Sequence, residues 1–115
     1  MKVISIKENH IFRRLYAKGK SAASPCLVVY CRRNGKTQGR LGITVSTKLG
    51  KAVCRNKIRR RIREIYRIHQ GDLLPGWDIV VVARVKAAHS SYAAMERSFL
   101  SCVDKLGLRR KENEA

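Results

Sequence analysis

Arg59, Arg60, Arg63 and Arg67 recur at spacings of one, three and four residues. Arg55, Asn56 and Lys57 stand just before them, and Lys48 and Lys51 slightly earlier. A guanidinium presents a planar fork of donors that fits phosphate oxygens in pairs, so this set suits recognition of a polyanion rather than bond breaking. Phe12, Tyr16 and Tyr30 offer ring faces on which unpaired bases stack. Core packing is the competing use of these rings; spacing favours it for Phe12 and leaves both uses open for the tyrosines. Residues of covalent and metal chemistry are present but scattered. Cys26, Cys31, Cys54 and Cys102 form no C-x-x-C pair, and His10, His69 and His89 fall at no matching ligand spacing. Free thiols in a reducing compartment are therefore expected over a zinc site. The acids, Glu8, Glu64, Asp72, Asp78, Glu96, Asp104, Glu112 and Glu114, show no D-x-D or D-x-x-E spacing. A stand-alone two-metal nuclease needs clustered carboxylates, so that class has no support.

The charge balance points the same way. Among 115 residues Lys and Arg total 26 and Asp and Glu total 8, a net charge of +18. A compact body so charged repels itself unless a polyanion is near. Nucleic acid is the natural partner, because neutralising phosphates releases condensed counterions. An anionic membrane surface is the competitor, but no stretch approaches the roughly 20 apolar residues of a membrane span. The opening residues, MKVISIKENH, lack the apolar run of a signal peptide. A cytoplasmic protein without membrane attachment is expected. The length suits one domain over 1–115, with a charged, frayed tail from about 109.

The elements that must hold these residues are legible from periodicity. Residues 8–18 predict a helix ended by Gly19, with Ser5 and Glu8 as a capping box that would start it earlier. Residues 26–32 predict a strand with Leu27, Val29 and Cys31 on one face and Cys26, Val28 and Tyr30 on the other. A turn at Arg33-Asn34-Gly35-Lys36 leads to a second strand at 40–46, and the two are expected to form a hairpin. Residues 52–69 predict the longest helix. A strand at 77–85, apolar on both faces at Ile79-Val80-Val81-Val82, should be central. A last helix covers 91–106, capped by Ser90 or Ser91. The order α-β-β-α-β-α implies an α+β sandwich of helices against a small sheet.

On a wheel at about 100° per residue, Cys54, Ile58, Ile62, Ile65, Tyr66, Ile68 and His69 gather on one face of the 52–69 helix. Asn56, Arg59, Arg60, Arg63 and Arg67 gather on the other, with Lys57 at its margin and Arg61 beside the apolar stripe. Like charges at i,i+4 cost a few tenths of a kcal/mol each. A one-sided arginine ladder therefore serves a bound anion better than it serves the free helix. A DNA-binding helix-turn-helix would place a second helix immediately before this one, whereas strands flank it here. That favours RNA.

The stretch Ser46-Thr47-Lys48-Leu49-Gly50-Lys51-Ala52-Val53-Cys54-Arg55-Asn56-Lys57-Ile58-Arg59-Arg60 resembles the signature of the bacterial ribonuclease P protein family, S-x-K-x-G-x-A-V-x-R-N-[RK]-[IVL]-[KR]-R, which continues to an Arg matching Arg63. The resemblance covers about residues 5–108, including Phe12 and Tyr16 four apart before Gly19, Tyr30 in a strand, G-I-T-V-S, and D-I-V-V-V-A-R. Lys57 replaces the second Arg of the Arg-Asn-Arg core and so loses the bidentate fork. Arg61 stands where the family often has an apolar residue, either as an added phosphate contact or as a snorkelling side chain. Tyr16 stands where Phe is frequent.

The resemblance implies a protein subunit that is not itself catalytic. An RNA subunit with bound Mg²⁺ would hydrolyse precursor tRNA to its mature 5′ end, and the protein alone would bind no cofactor or metal. It implies that Lys48, Lys51, Arg55, Asn56, Lys57, Arg59, Arg60 and Arg63 contact the RNA subunit; the wheel adds Arg67. It implies that Phe12, Tyr16 and Tyr30 line a cleft for the single-stranded 5′ leader, and that the sheet contains a left-handed β-α-β crossover, against the usual hand. The free protein is expected to be monomeric. A ribosomal protein or RNA chaperone would share the composition but not the Lys-x-Gly-x-Ala-Val-x-Arg-Asn stretch.

Overall fold

The computed structural model describes residues 2–110. Its elements are α1 (Asn9–Lys18), β1 (Lys20–Ala23), β2 (Leu27–Arg33), β3 (Arg40–Thr44), α2 (Ala52–His69), β4 (Trp77–Ala83) and α3 (Tyr92–Lys105). Short 3₁₀ turns occupy Thr47–Leu49, Gln70–Asp72 and Val85–His89. The α+β class stands, with helices packed on a four-stranded mixed sheet.

The strand order is β1-β2-β4-β3. The expected hairpin of the 26–32 and 40–46 strands does not form. Instead β4 lies between them, antiparallel to β2 and parallel to β3. The reason is burial: Ile79, Val80 and Val81 need cover on both faces, and only a central position supplies it. The polar 34–39 segment is thus a long connection rather than a tight turn. β1, which the residues KSAA did not announce, pairs antiparallel with the free edge of β2.

One face of the sheet carries the main core. Leu27, Val29 and Cys31 of β2, Leu41 of β3 and Ile79 and Val81 of β4 meet Ile58, Ile62 and Ile65 of α2 and Met95, Phe99 and Val103 of α3. Cys26 lies before β2 rather than within it, and so joins this core instead of the opposite face. On the other face Val80 is buried under Ile6 and Leu15, with Phe12, Tyr30 and Val82 partly covered.

Three local expectations change. Glu8 is the N-cap of α1 but makes no side-chain cap, and the Ser5 hydroxyl accepts from Arg63 Nη1 at 3.1 Å. The capping box fails because residues 4–6 extend along β3, with Ile6 N donating to Leu41 O and Leu41 N to Ile4 O at 2.9 and 2.8 Å. Gly19 ends α1 in an extended rather than left-handed conformation, its N–H on Leu15 O. The expected cap of α3 is supplied by Ser91, which accepts from Ala94 N at 3.1 Å. The start of the expected tail is tied down: Leu108 is buried, Arg109 bridges Leu73, and Arg110 N donates to Asp72 O at 2.7 Å. Residues 111–115 lie outside the described residues.

Candidate nucleic-acid interface

The turn before α2 is locally built. Ser46 Oγ accepts from Lys48 N at 3.2 Å, and Gly50 adopts φ +129°, a region that L side chains rarely enter. α2 then begins at Ala52 with no side chain capping its N-terminus. Its own N–H groups and dipole there favour negative charge. Ile58, Ile62, Ile65 and Tyr66 are buried, each side chain contributing about 1.5–3 kcal/mol. That outweighs the few tenths of a kcal/mol for each like-charge pair on the outer face. Packing therefore lets the helix form while its cations remain available.

Each predicted cation can now be placed. Lys48, Lys51, Asn56, Lys57, Arg60 and Arg63 are exposed, and Arg55 and Arg59 are half-buried. Arg55 Nε donates to Gly50 O at 3.2 Å, bracing the turn. Arg59 Nη1 donates to Asn56 Oδ1 at 3.1 Å. Arg67 differs from the rest, because it grips Glu64 with Nε and Nη2 at 2.9 and 2.5 Å. Those hydrogen bonds hold the Glu64 carboxyl below its ordinary pKa and raise that of Arg67. Arg61 is half-buried and donates to Ser90 O at 3.2 Å, which favours the snorkelling alternative for its stem. Ile68 leaves the apolar stripe and is 50% exposed. Three residues past Ile65 the helix has turned about 300°, which carries Ile68 to the flank.

The acids do little to neutralise the remaining cations of this face. Asp78 is held by Arg40, Asp104 by Arg109, and Glu96 by His69, while Glu64 is taken by Arg67. Among the described residues no three His, Cys, Asp or Glu side chains converge as metal ligands.

The three aromatics come together on the opposite face of the sheet. The Tyr16 and Tyr30 rings meet edge to face at 5.0 Å, and Phe12 stands 6.5 Å from Tyr16. Tyr16 OH and Thr44 Oγ1 are hydrogen-bonded at 2.7 Å. Tyr16 is 41% exposed, whereas Phe12 and Tyr30 are half-buried. The rings therefore combine packing with an open surface. Register puts Ser21 beside Tyr30, and Val28, Val82 and Thr44 in one row on this face. The places of Gly42, Thr44 and Ser5 beside these groups were not read from the sequence, where Ser5 was expected to cap α1 and the other two only to lie in a strand. The glycine inside a strand was the available signal, since it marks close approach of another group. Arg63 links the two regions, reaching from α2 to Ser5 in the segment that leads into α1.

A family model described as Ribonuclease P matches residues 1–107. The chain is 42% identical over 97 residues to the Ribonuclease P protein component of Desulfosudis oleivorans, covering 80% of each. It is 38% identical over 109 residues to that of Alkaliphilus oremlandii, covering 94% of this chain and 96% of the relative. Among solved structures, the Staphylococcus aureus RNase P protein superposes with a TM-score of 0.86 at 39% identity, over 95% of this chain and all of the other. The Thermotoga maritima RNase P protein gives 0.78 at 35% identity, over 84% and 92%.

Proposed function

This chain belongs to the bacterial ribonuclease P protein family, and on that premise we propose that it binds a catalytic RNA subunit and the 5′ leader of precursor tRNA, promoting endonucleolytic removal of the leader. The observation that carries the reading is the arginine face of α2, one-sided and mostly left without acidic partners. Duplex RNA has a major groove too narrow for side chains, so it is recognised through phosphates, 2′-hydroxyls and shape. Lys48, Lys51, Arg55, Asn56, Lys57, Arg59, Arg60 and Arg63 supply those contacts, and Arg67 a weaker one. Phe12, Tyr16 and Tyr30 supply stacking for an unpaired leader of any sequence, at about 1–3 kcal/mol per base.

The hydrolysis belongs to the RNA subunit with Mg²⁺; the protein positions substrate and neutralises phosphate charge. Among the described residues no helix is long and apolar enough to cross a membrane. The test is reconstitution: purified protein with a bacterial ribonuclease P RNA, at low Mg²⁺ and physiological salt. Cleavage of precursor tRNA only when both are present upholds the reading. Binding no tighter than to bulk RNA, without stimulation, replaces it with a general RNA chaperone. Cleavage by the protein alone overturns the division of labour.

A further inference from the structure

We propose that the Val85–His89 turn forms a second phosphate-binding surface, which holds a backbone segment of the RNA subunit separate from the one on the Arg59–Arg63 side of α2. This rests on the RNA-binding reading above and extends it to another part of the molecule.

Cavities surround that turn. One of about 410 Å³ opens between it and α2, rimmed by Lys51, Lys57 and Arg61 over Val53 and Ala87. One of about 370 Å³ lies towards α3, where Lys86 and Arg97 stand beside Ser101, while the Ser90 hydroxyl donates to Lys86 O and the buried Ser98 hydroxyl accepts from Cys26 N. A third, about 420 Å³, is lined by Pro25, Arg84, Val85 and Lys86. No Asp or Glu lines any of them. Cations with hydroxyls and no carboxylate match a sugar-phosphate backbone in both charge and hydrogen bonding.

Helix geometry separates this surface from the first. Arg61 follows Arg59 and precedes Arg63 by two residues, which is about 200° around the axis from either, while Lys57 stands at the margin between the two flanks. Arg63 reaches Ser5 on one flank of α2, whereas Arg61 reaches Ser90 on the other. A backbone segment lying along one flank leaves the cations of the other free, so the second set is assigned its own segment. The RNA subunit is the occupant because Lys51 and Lys57 belong to both surfaces, while the aromatic cluster for the leader lies across the sheet.

The turn is also held in place before anything binds. Arg61 donates to Ser90 O, Ser90 Oγ donates to Lys86 O at 2.7 Å, and Arg84 Nη1 donates to Ser24 O at 2.9 Å. Val53 and Val85, 82% and 59% exposed, are apolar surface that a bound partner would remove from water.

The test uses Lys86→Gln with Arg97→Gln; both side chains are exposed and neither makes an ion pair among the described residues. Affinity of the full chain for a bacterial ribonuclease P RNA is measured across salt concentrations. The expected result is weaker binding, with the log–log salt slope reduced by about 1.4–1.8 for two lost phosphate contacts. An unchanged slope, while an Arg59/Arg60/Arg63 variant still loses affinity, overturns the second surface and leaves the first. No loss from either variant would instead overturn the RNA-subunit reading. A photo-crosslinker at position 85 should capture nucleotides of the RNA subunit different from those captured at position 60. Capture of precursor tRNA alone would overturn the choice of occupant.

Discussion

The ring of Phe12 rests on Gly42 of β3: a Cβ on that glycine would stand 2.6 Å from Phe12 Cζ and 2.7 Å from Cε1. The rings of α1 are therefore placed by a missing side chain in the sheet. Phe12 lies against Tyr16, Tyr16 against Tyr30, and the Tyr16 hydroxyl against Thr44, so a shift at Phe12 passes along the set.

Gly42→Ala should accordingly push Phe12 off its seat and destabilise the fold by about 1–3 kcal/mol, the usual range for overpacking. It should also mimic Tyr16→Ala in weakening substrates that carry a leader more than leaderless tRNA. Urea unfolding and the two binding constants check this. Equal losses for both substrates would point to a folding defect alone.

Replacing Arg60 with Ala should flatten the salt dependence of RNA-subunit binding by roughly one unit, as for one lost phosphate contact. Arg67→Ala should flatten it by less, because Glu64 already occupies that guanidinium. Glu64→Gln should tighten binding by releasing Arg67 and removing a negative charge. Fluorescence anisotropy over a salt series decides the order, and equal slopes for Arg60→Ala and Arg67→Ala would refute the distinction.

Asp78, buried on the central strand, accepts from Arg40 Nε and Nη2 at 2.8 and 2.7 Å and from Asn34 Nδ2 at 3.0 Å. Hydrogen bonding to that carboxylate raises the pKa of Arg40 further. Asp78→Ala leaves a largely buried guanidinium unpaired and should cost about 3–5 kcal/mol. Joint replacement of Arg40 by Met and Asp78 by Leu should recover most of that. The midpoints of denaturant unfolding measure both, and a loss under about 1 kcal/mol in the single variant would contradict the account.

The thiols should separate by reactivity. Cys26, Cys31 and Cys102 are buried, and burial raises the pKa of Cys31, keeping it protonated at neutral pH. Cys54 is half-buried and lines the cavity between α2 and the Val85–His89 turn. A disulfide reagent should modify Cys54 first and the others only on unfolding, and saturating RNA subunit should slow that first reaction. Unprotected Cys54 in the complex would count against RNA in that cavity.

The limits of α2, the burial of Ile58, Ile62 and Ile65 though not of Ile68, and its arginine face were legible in the residues, because helical periodicity is local and a turn of chain reports its own faces. The central place of β4 was legible too, since a strand apolar on both sides has nowhere else to lie. Tertiary structure decided the rest. β2 and β3 follow one another in the chain yet never pair, because β4 competes for both edges and buries more by taking them. β1 exists only because β2 offers its other edge, and KSAA has no intrinsic reason to be a strand. Ser5 bonds to Arg63 instead of capping α1, and Phe12 seats on Gly42, through contacts between residues dozens of positions apart. Composition and spacing name the cations and rings proposed to meet RNA; strand pairing, which is non-local, decides which of them share a surface.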